Sequence, residues 1–220
     1  MNFCSDPVSG LSGYVGIDPT HSLVVLTFQG SVNIRSYFDD ITFAFTTCNL
    51  VVGCLVHSGF WEAWTNTRAA VLAGVAEATS AHPGYKVVVT GHSLGAAVAT
   101  LAAADLRVNG TSADLYNYGS PRVGNDIFAN FVTNQTGINV RVTHTDDPVA
   151  NLPPNWIDYR HISPEYWIEQ GDVNVMASDI EVLYGIANTD GNAGQPGFNT
   201  TAHVWYFGHI SACEGDLTFK

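Results

Sequence analysis

The stretch that most restricts what this chain can become is residues 86–107, KVVVTGHSLGAAVATLAAADLR. Val87 to Thr90 is short, β-branched and apolar on both faces, which predicts a buried parallel strand. Leu94 to Val108 is long, free of proline and rich in alanine, which predicts a helix. Between them stands Gly91-His92-Ser93-Leu94-Gly95. A strand that turns straight into a helix strains the residue at the turn, and neighbours without a Cβ let the chain pass close to itself. The bare pattern G-x-S-x-G is short enough to arise by chance. Its strand-turn-helix setting makes it a nucleophile elbow, which lifts a serine hydroxyl clear of the sheet and aims free helix N–H groups at developing negative charge. Ser93 is therefore the candidate nucleophile.

The 220 residues, 46% hydrophobic and 13% charged, can bury a large core, and no polar, proline-rich or repetitive run divides them. One domain over residues 1–220 is expected. The net charge of −12, with Lys86 and Lys220 the only lysines, argues against a nucleic-acid partner or an anionic membrane. No apolar run reaches the roughly eighteen residues of a transmembrane helix, and Met1 to Cys4 lack the pattern of a signal peptide. Circumstantial signs of export are four cysteines and three N-x-S/T sequons, at Asn109, Asn134 and Asn199. Cys48 and Cys54 bracket the turn-like CNLVVGC, which favours a small disulfide loop. Cys4 and Cys213 lie near the two ends and could be joined, but sequence does not choose among the possible pairings. No C-x-x-C, H-E-x-x-H or G-x-G-x-x-G after a strand appears, so no metal, nucleotide or flavin is expected.

Tyr14 to Ile17 and Leu23 to Phe28 read as strands joined by a turn. Trp61 to Ala81 reads as an amphipathic helix, stopped by Pro83-Gly84. After the elbow come a strand at Asp114 to Tyr118, a helix around Asp126 to Thr133 and a strand at Val140 to His144. This alternation predicts an α/β fold with a mainly parallel sheet. The last seventy or so residues, rich in Gly, Asn and Pro with short strand-like pieces such as Ile180 to Leu183, look like loops over the strand ends.

An alcohol is a poor nucleophile at neutral pH, so Ser93 needs an imidazole and a carboxylate to hold it, in the chain order Ser, acid, His. In VRVTHTDDPVANLPP the acid is Asp146 or Asp147, at a turn that Pro148 locks. The base is one of His161, His203 and His209; spacing does not decide, although His203, just before an aromatic strand-like piece, suits a loop hanging over the sheet. His92 and His144 stand in the wrong place in that order.

These residues resemble the fungal class 3 lipases, secreted α/β-hydrolases, from about residue 13 to residue 213 through LVVLTFQGS, VHSGFWEAW, VVTGHSLGAAVATLAAADLR, YGSPRVGN, RVTHTDDPVANLPP, SPEYWI and AHVWYFG. The resemblance implies an α/β-hydrolase fold with helices on both faces of the sheet. It implies Asp147 as the acid, His203 as the base, and an oxyanion hole formed by Ser31 with the Leu94 backbone N–H. It also implies that the chain is shortened before Tyr14, where the family has a helix and a strand whose cysteine pairs with the equivalent of Cys213. Gln29 stands for the family's Arg, Ala96 for its second Gly, and Ala150-Asn151 for a common Pro-Arg.

Between Ser31 and Thr42, Ile34, Tyr37, Phe38 and Ile41 recur at helical spacing, one apolar face of a short helix. In the resembling family this segment is the lid over the catalytic serine. The reading that follows is a secreted, monomeric carboxylic-ester hydrolase acting on acylglycerols, the triacylglycerol lipase chemistry, at a lipid–water interface without a cofactor. Its alternatives are a feruloyl esterase of the same fold and a catalytically silent relative that only binds.

Overall fold

The computed structural model describes residues 11–30, 42–171 and 174–210, together with the backbone of 2–5. An eight-stranded sheet runs in the order β1-β2-β3-β6-β7-β8-β9-β10. Its strands are β1 (Asn2–Ser5), β2 (Ser12–Asp18), β3 (Leu23–Phe28), β6 (Lys86–His92), β7 (Ala113–Tyr118), β8 (Asn139–His144), β9 (Glu165–Ile168) and β10 (Ile180–Leu183). The strands from β3 through β9 are parallel to their neighbours, and β1, β2 and β10 pair antiparallel at the edges. A small hairpin of β4 (Phe45–Thr47) and β5 (Leu55–His57) stands apart. It is closed by the expected Cys48–Cys54 disulfide, with a Cα–Cα distance of 5.3 Å. Cys4 and Cys213 lie outside the residues whose side chains are described.

Among the described residues three α-helices pack on the sheet: α1 (Ser58–Ala81), α2 (Leu94–Val108) and α3 (Asp126–Asn134). The steps β3 to β6 to β7 to β8 all move one way across the sheet, and right-handed crossovers then place these helices on the same face. Val24 and Leu26 of β3, Val87 and Val89 of β6, and Ala113 and Leu115 of β7 point into that layer and are buried with Trp64, Val71, Val98 and Leu101. The intervening Val25, Val88, Thr90 and Tyr116 are only half-buried. Val87 to Thr90 was expected to be apolar and buried on both faces; instead it is fully covered on one, so its burial alternates.

The helix expected from Trp61 begins three residues earlier, because the His57 Nδ1 accepts the Phe60 N–H at 3.4 Å and caps Ser58. The aromatic piece after His203 is not a strand. Residues Ala202–Val204 form a short 3₁₀ turn, and only an isolated bridge joins Trp205 to His209. That turn carries the imidazole back over the strand ends.

Candidate active site

The elbow owes its shape to two close approaches. A Cβ on Gly95 would overlap the carbonyl oxygens of Phe28 and Gln29, where the end of β3 passes the start of α2, and a Cβ on Gly91 would overlap the Gly95 carbonyl. Glycine is the residue that fits both places. Ser93, between them, has φ 57° and ψ −126°, a conformation that costs an L-residue about 1–3 kcal/mol and persists only where its surroundings hold it. Here they do: the Ser93 N–H donates to the Tyr118 carbonyl at 3.0 Å, and the Ser93 carbonyl accepts from Ala96 and Ala97 at 3.0 and 3.2 Å. Among the described residues the N–H of Leu94, first of the helix, bonds to nothing. It is a donor held ready beside the serine.

Of the two candidate aspartates, Asp147 faces a histidine and Asp146 does not. His203 Nδ1 lies 2.8 and 3.0 Å from the two Asp147 carboxylate oxygens. The same carboxylate accepts the Val149 N–H at 2.9 Å and the Tyr206 hydroxyl at 2.5 Å. A carboxylate that accepts at Nδ1 fixes the neutral imidazole with its lone pair on Nε2. His203 Nε2 is buried and has no hydrogen-bond partner among the described residues, which leaves that lone pair free of them. Asp146 instead packs its carboxylate against Gly197 and is only half-buried. His161 is buried elsewhere with Nε2 2.6 Å from the Ala150 carbonyl, and His209 is exposed.

Gly119 shows how tightly the group is assembled. With φ +56° it lies where an added Cβ would stand 3.0 Å from His203 Cε1, 3.0 Å from the Tyr206 hydroxyl and 3.1 Å from an Asp147 oxygen. Ser93, Asp147 and His203 are 2%, 0% and 0% exposed. The site as it stands is closed to water.

Several supporting residues escaped the sequence reading. His92, set aside on chain order, donates from Nε2 to the His203 carbonyl at 2.7 Å, and its ring lies 4.4 Å from that of His203. A carbonyl can only accept, so Nε2 carries the proton. Burial, followed by the neighbouring His203, lowers the His92 pKa to about 4 and keeps the ring neutral. His144 supports the same turn through the Ala202 carbonyl, 3.0 Å from Nδ1. Tyr206 stands one turn after His203, a spacing that could have drawn notice. Burial, and then the Asp147 charge, push its pKa well above the usual 10, so it remains a donor. Asn192 binds the carbonyls of Thr145 and Asp147 at 3.0 and 3.1 Å, and nothing in its sequence context marks it. Arg122, in the motif after β7, donates to the carbonyls of Asn151 and Pro153 at 2.5 and 2.9 Å and so braces the acid loop.

Ser31 and the lid residues Ile34, Tyr37 and Phe38 lie outside the described residues. Among the described residues, no group of three His, Cys, Asp or Glu is placed to hold a metal ion, and no helix is long and apolar enough to cross a membrane.

With this geometry in view, the family model for lipase (class 3) matches residues 25–156. A secreted mono- and diacylglycerol lipase 1 of Fusarium solani is 51% identical over 93% of this chain, and one named A of Penicillium cyclopium is 45% identical over 100% of it. The chain belongs to the class 3 lipase family. It spans 62% of the length of the Fusarium relative and 73% of the Penicillium one. The crystal structure of a mono- and diacylglycerol lipase from Aspergillus oryzae matches with a TM-score of 0.92 at 44% identity, covering 97% of this chain and 81% of that one. The fold is the α/β-hydrolase fold of the fungal lipases, on a chain shorter than these relatives.

Proposed function

We propose that this protein is a secreted serine hydrolase of acylglycerol esters, with mono- and diacylglycerols its preferred class. The observation that carries the reading is the buried pairing of Asp147 with His203, whose free Nε2 is available to a serine held at an elbow. Ser93 attacks the ester carbonyl while His203 Nε2 takes its proton, and Asp147 stabilises the resulting imidazolium. The tetrahedral oxyanion is received by the Leu94 N–H and by Ser31, a donor pair whose loss would cost about 10²–10³ in rate per member. His203 then protonates the leaving glycerol oxygen, and water repeats the sequence to release the acid.

The names of the Fusarium, Penicillium and Aspergillus relatives support mono- and diacylglycerols over triacylglycerols, and the names of the first two support secretion. A disulfide among the described residues agrees with an oxidising compartment. Because Ser93 is only 2% exposed, substrate can reach it only after some movement, which supports a lid role for Ile34, Tyr37 and Phe38 that an oil surface would favour.

The test is the rate on dioctanoylglycerol, trioctanoylglycerol and methyl ferulate for the native protein and Ser93→Ala. The substitution should lower turnover at least about 10³-fold with an unchanged circular dichroism spectrum. Turnover of the diacylglycerol should exceed that of the triacylglycerol and rise as it passes its solubility limit. A preference for methyl ferulate, with no such rise, would point to a feruloyl esterase instead.

A further inference from the structure

The three sequons do not present the same chemistry. Asn109, Asn134 and Asn199 are all exposed, but their amide groups are engaged differently. Asn109 Nδ2 donates twice to Asp105, to the carbonyl at 2.8 Å and to the carboxylate at 2.6 Å, and Asp105 is only 2% exposed. Both of its amide hydrogens are therefore in use, one of them on a buried charge. Asn134 Nδ2 donates once, to the Asn130 carbonyl at 2.8 Å within the last turn of α3. Asn199 is the reverse case. Its Oδ1 accepts the N–H groups of Thr201 and Ala202 at 3.0 and 3.3 Å, which settles which end of the amide is oxygen and leaves Nδ2 with no partner among the described residues.

We propose that Asn199 is an N-glycosylation site, carrying an oligosaccharide on the turn that presents His203. The proposal rests on the secretion part of the function above, since the modification belongs to the export route. The donor is an oligosaccharide linked to a lipid pyrophosphate. Asn199 Nδ2 forms a bond to the anomeric carbon, the carbon–oxygen bond to the pyrophosphate breaks, the lipid pyrophosphate leaves, and the amide gives up one proton. No electrons are gained or lost.

The folded protein accommodates this product because the sugar takes the end of the amide that does nothing else. Oδ1 keeps its two bonds, and these cap the turn Ala202–Val204. The Asn199 N–H, bonded to the Asp146 carbonyl at 3.3 Å, is untouched and still ties the base loop to the acid loop. At Asn109 the same reaction would take a hydrogen away from Asp105. The sugar at Asn199 stands beside Phe198, which is 71% exposed, and so places a hydrated group on the catalytic rim.

The full chain, produced behind a secretion leader in a fungal host, would be digested and released with peptide N-glycosidase in ¹⁸O water. Each formerly modified asparagine is then read as a labelled aspartate. Label is expected at Asn199 in most molecules and at Asn109 in few. Thr201→Ala should remove it while keeping the Asn199 cap, and turnover of a soluble ester should stay within about two-fold of native. An unlabelled Asn199 overturns the proposal. If Asn134 is labelled in that same sample, the export reading survives and the argument from the amide is what failed; if no sequon is labelled, both fail. Equal labelling of Asn109 and Asn199 also overturns it. Dioctanoylglycerol hydrolysis by the same preparation reports on the enzymatic reading separately.

Discussion

Asp105, in the helical layer, and Asp147, at the strand ends, are 2% and 0% exposed, yet their partners differ in kind. Asp105 receives two nitrogens of Arg68, at 2.5 and 3.0 Å, with Trp64 Nε1 at 3.0 Å and Asn109 Nδ2 at 2.6 Å. Asp147 receives the Val149 N–H, the Tyr206 hydroxyl and His203 Nδ1, and among the described residues no arginine or lysine. A fixed guanidinium neutralises Asp105 permanently, so that carboxylate holds helices together and has no charge to spare. Asp147 is held by neutral donors that position it without cancelling it. In the mechanism proposed above its charge is kept for the one cation that would form beside it, protonated His203. An arginine at the place of Tyr206 would make the acid loop more conventional and the imidazolium less favourable.

The largest effect that tests this contrast is Asp147→Asn. It removes the charge and turns the imidazole toward the wrong tautomer, so kcat should fall by about 10³–10⁴ with little change in KM. Asp146→Asn, altering a half-buried side chain that packs on Gly197, should change kcat only a few-fold. Steady-state kinetics on a soluble ester measures both. Equal losses would mean that the two aspartates are not divided as the geometry divides them.

Asp105→Asn should show the opposite signature. The substitution keeps the shape but deletes the charge opposite Arg68, and about 2–3 kcal/mol of stability should be lost as weakened charge-assisted hydrogen bonds. The urea midpoint reports this loss. Below the transition kcat/KM should match the native enzyme, because Asp105 lies in the helical layer, away from the strand-end site. A fall in kcat/KM of the folded variant would make the helical layer part of the catalytic support and blur the contrast.

Much of the candidate site's geometry was legible in sequence, because its strongest constraints are local. Gly91 and Gly95 announce the elbow since no other residue clears the backbone there, and Asp147 and His203 follow from motif and resemblance. What escaped is what depends on contacts between distant segments. His92 was set aside because chain order speaks only to the base, whereas its ring acts on the His203 carbonyl 111 residues away. Asn192 braces the acid loop through two backbone carbonyls, a role that leaves no pattern in the residues around it. Val87 to Thr90 read as buried on both faces because β-branched residues suit either case, and which face the described helices cover is a property of the sheet order. Asp105 showed itself only as a lone acid in an alanine-rich helix, and its partners sit on another helix.

A smaller loss than that of Asp147→Asn is also the most discriminating: Tyr206→Phe. The hydroxyl, 2.5 Å from Asp147, donates to the carboxylate and draws off part of its negative charge. Its own pKa lies well above 10, through burial and then through Asp147, so the group does not ionise across the working range. Removing it leaves Asp147 placed by Val149 and His203 with one donor fewer on its carboxylate. That undiminished charge favours the imidazolium over the neutral ring of His203. Activity requires the neutral imidazole, and the acid limb of the kcat/KM profile should therefore move to higher pH. Looser placement of the carboxylate should lower kcat by roughly ten-fold, the rate equivalent of about 1.4 kcal/mol. A purely structural hydroxyl would lower stability and leave the acid limb where it was. A pH profile of the folded variant on a soluble ester separates the two, and an unmoved limb would mean that Asp147, like Asp105, is merely held in place.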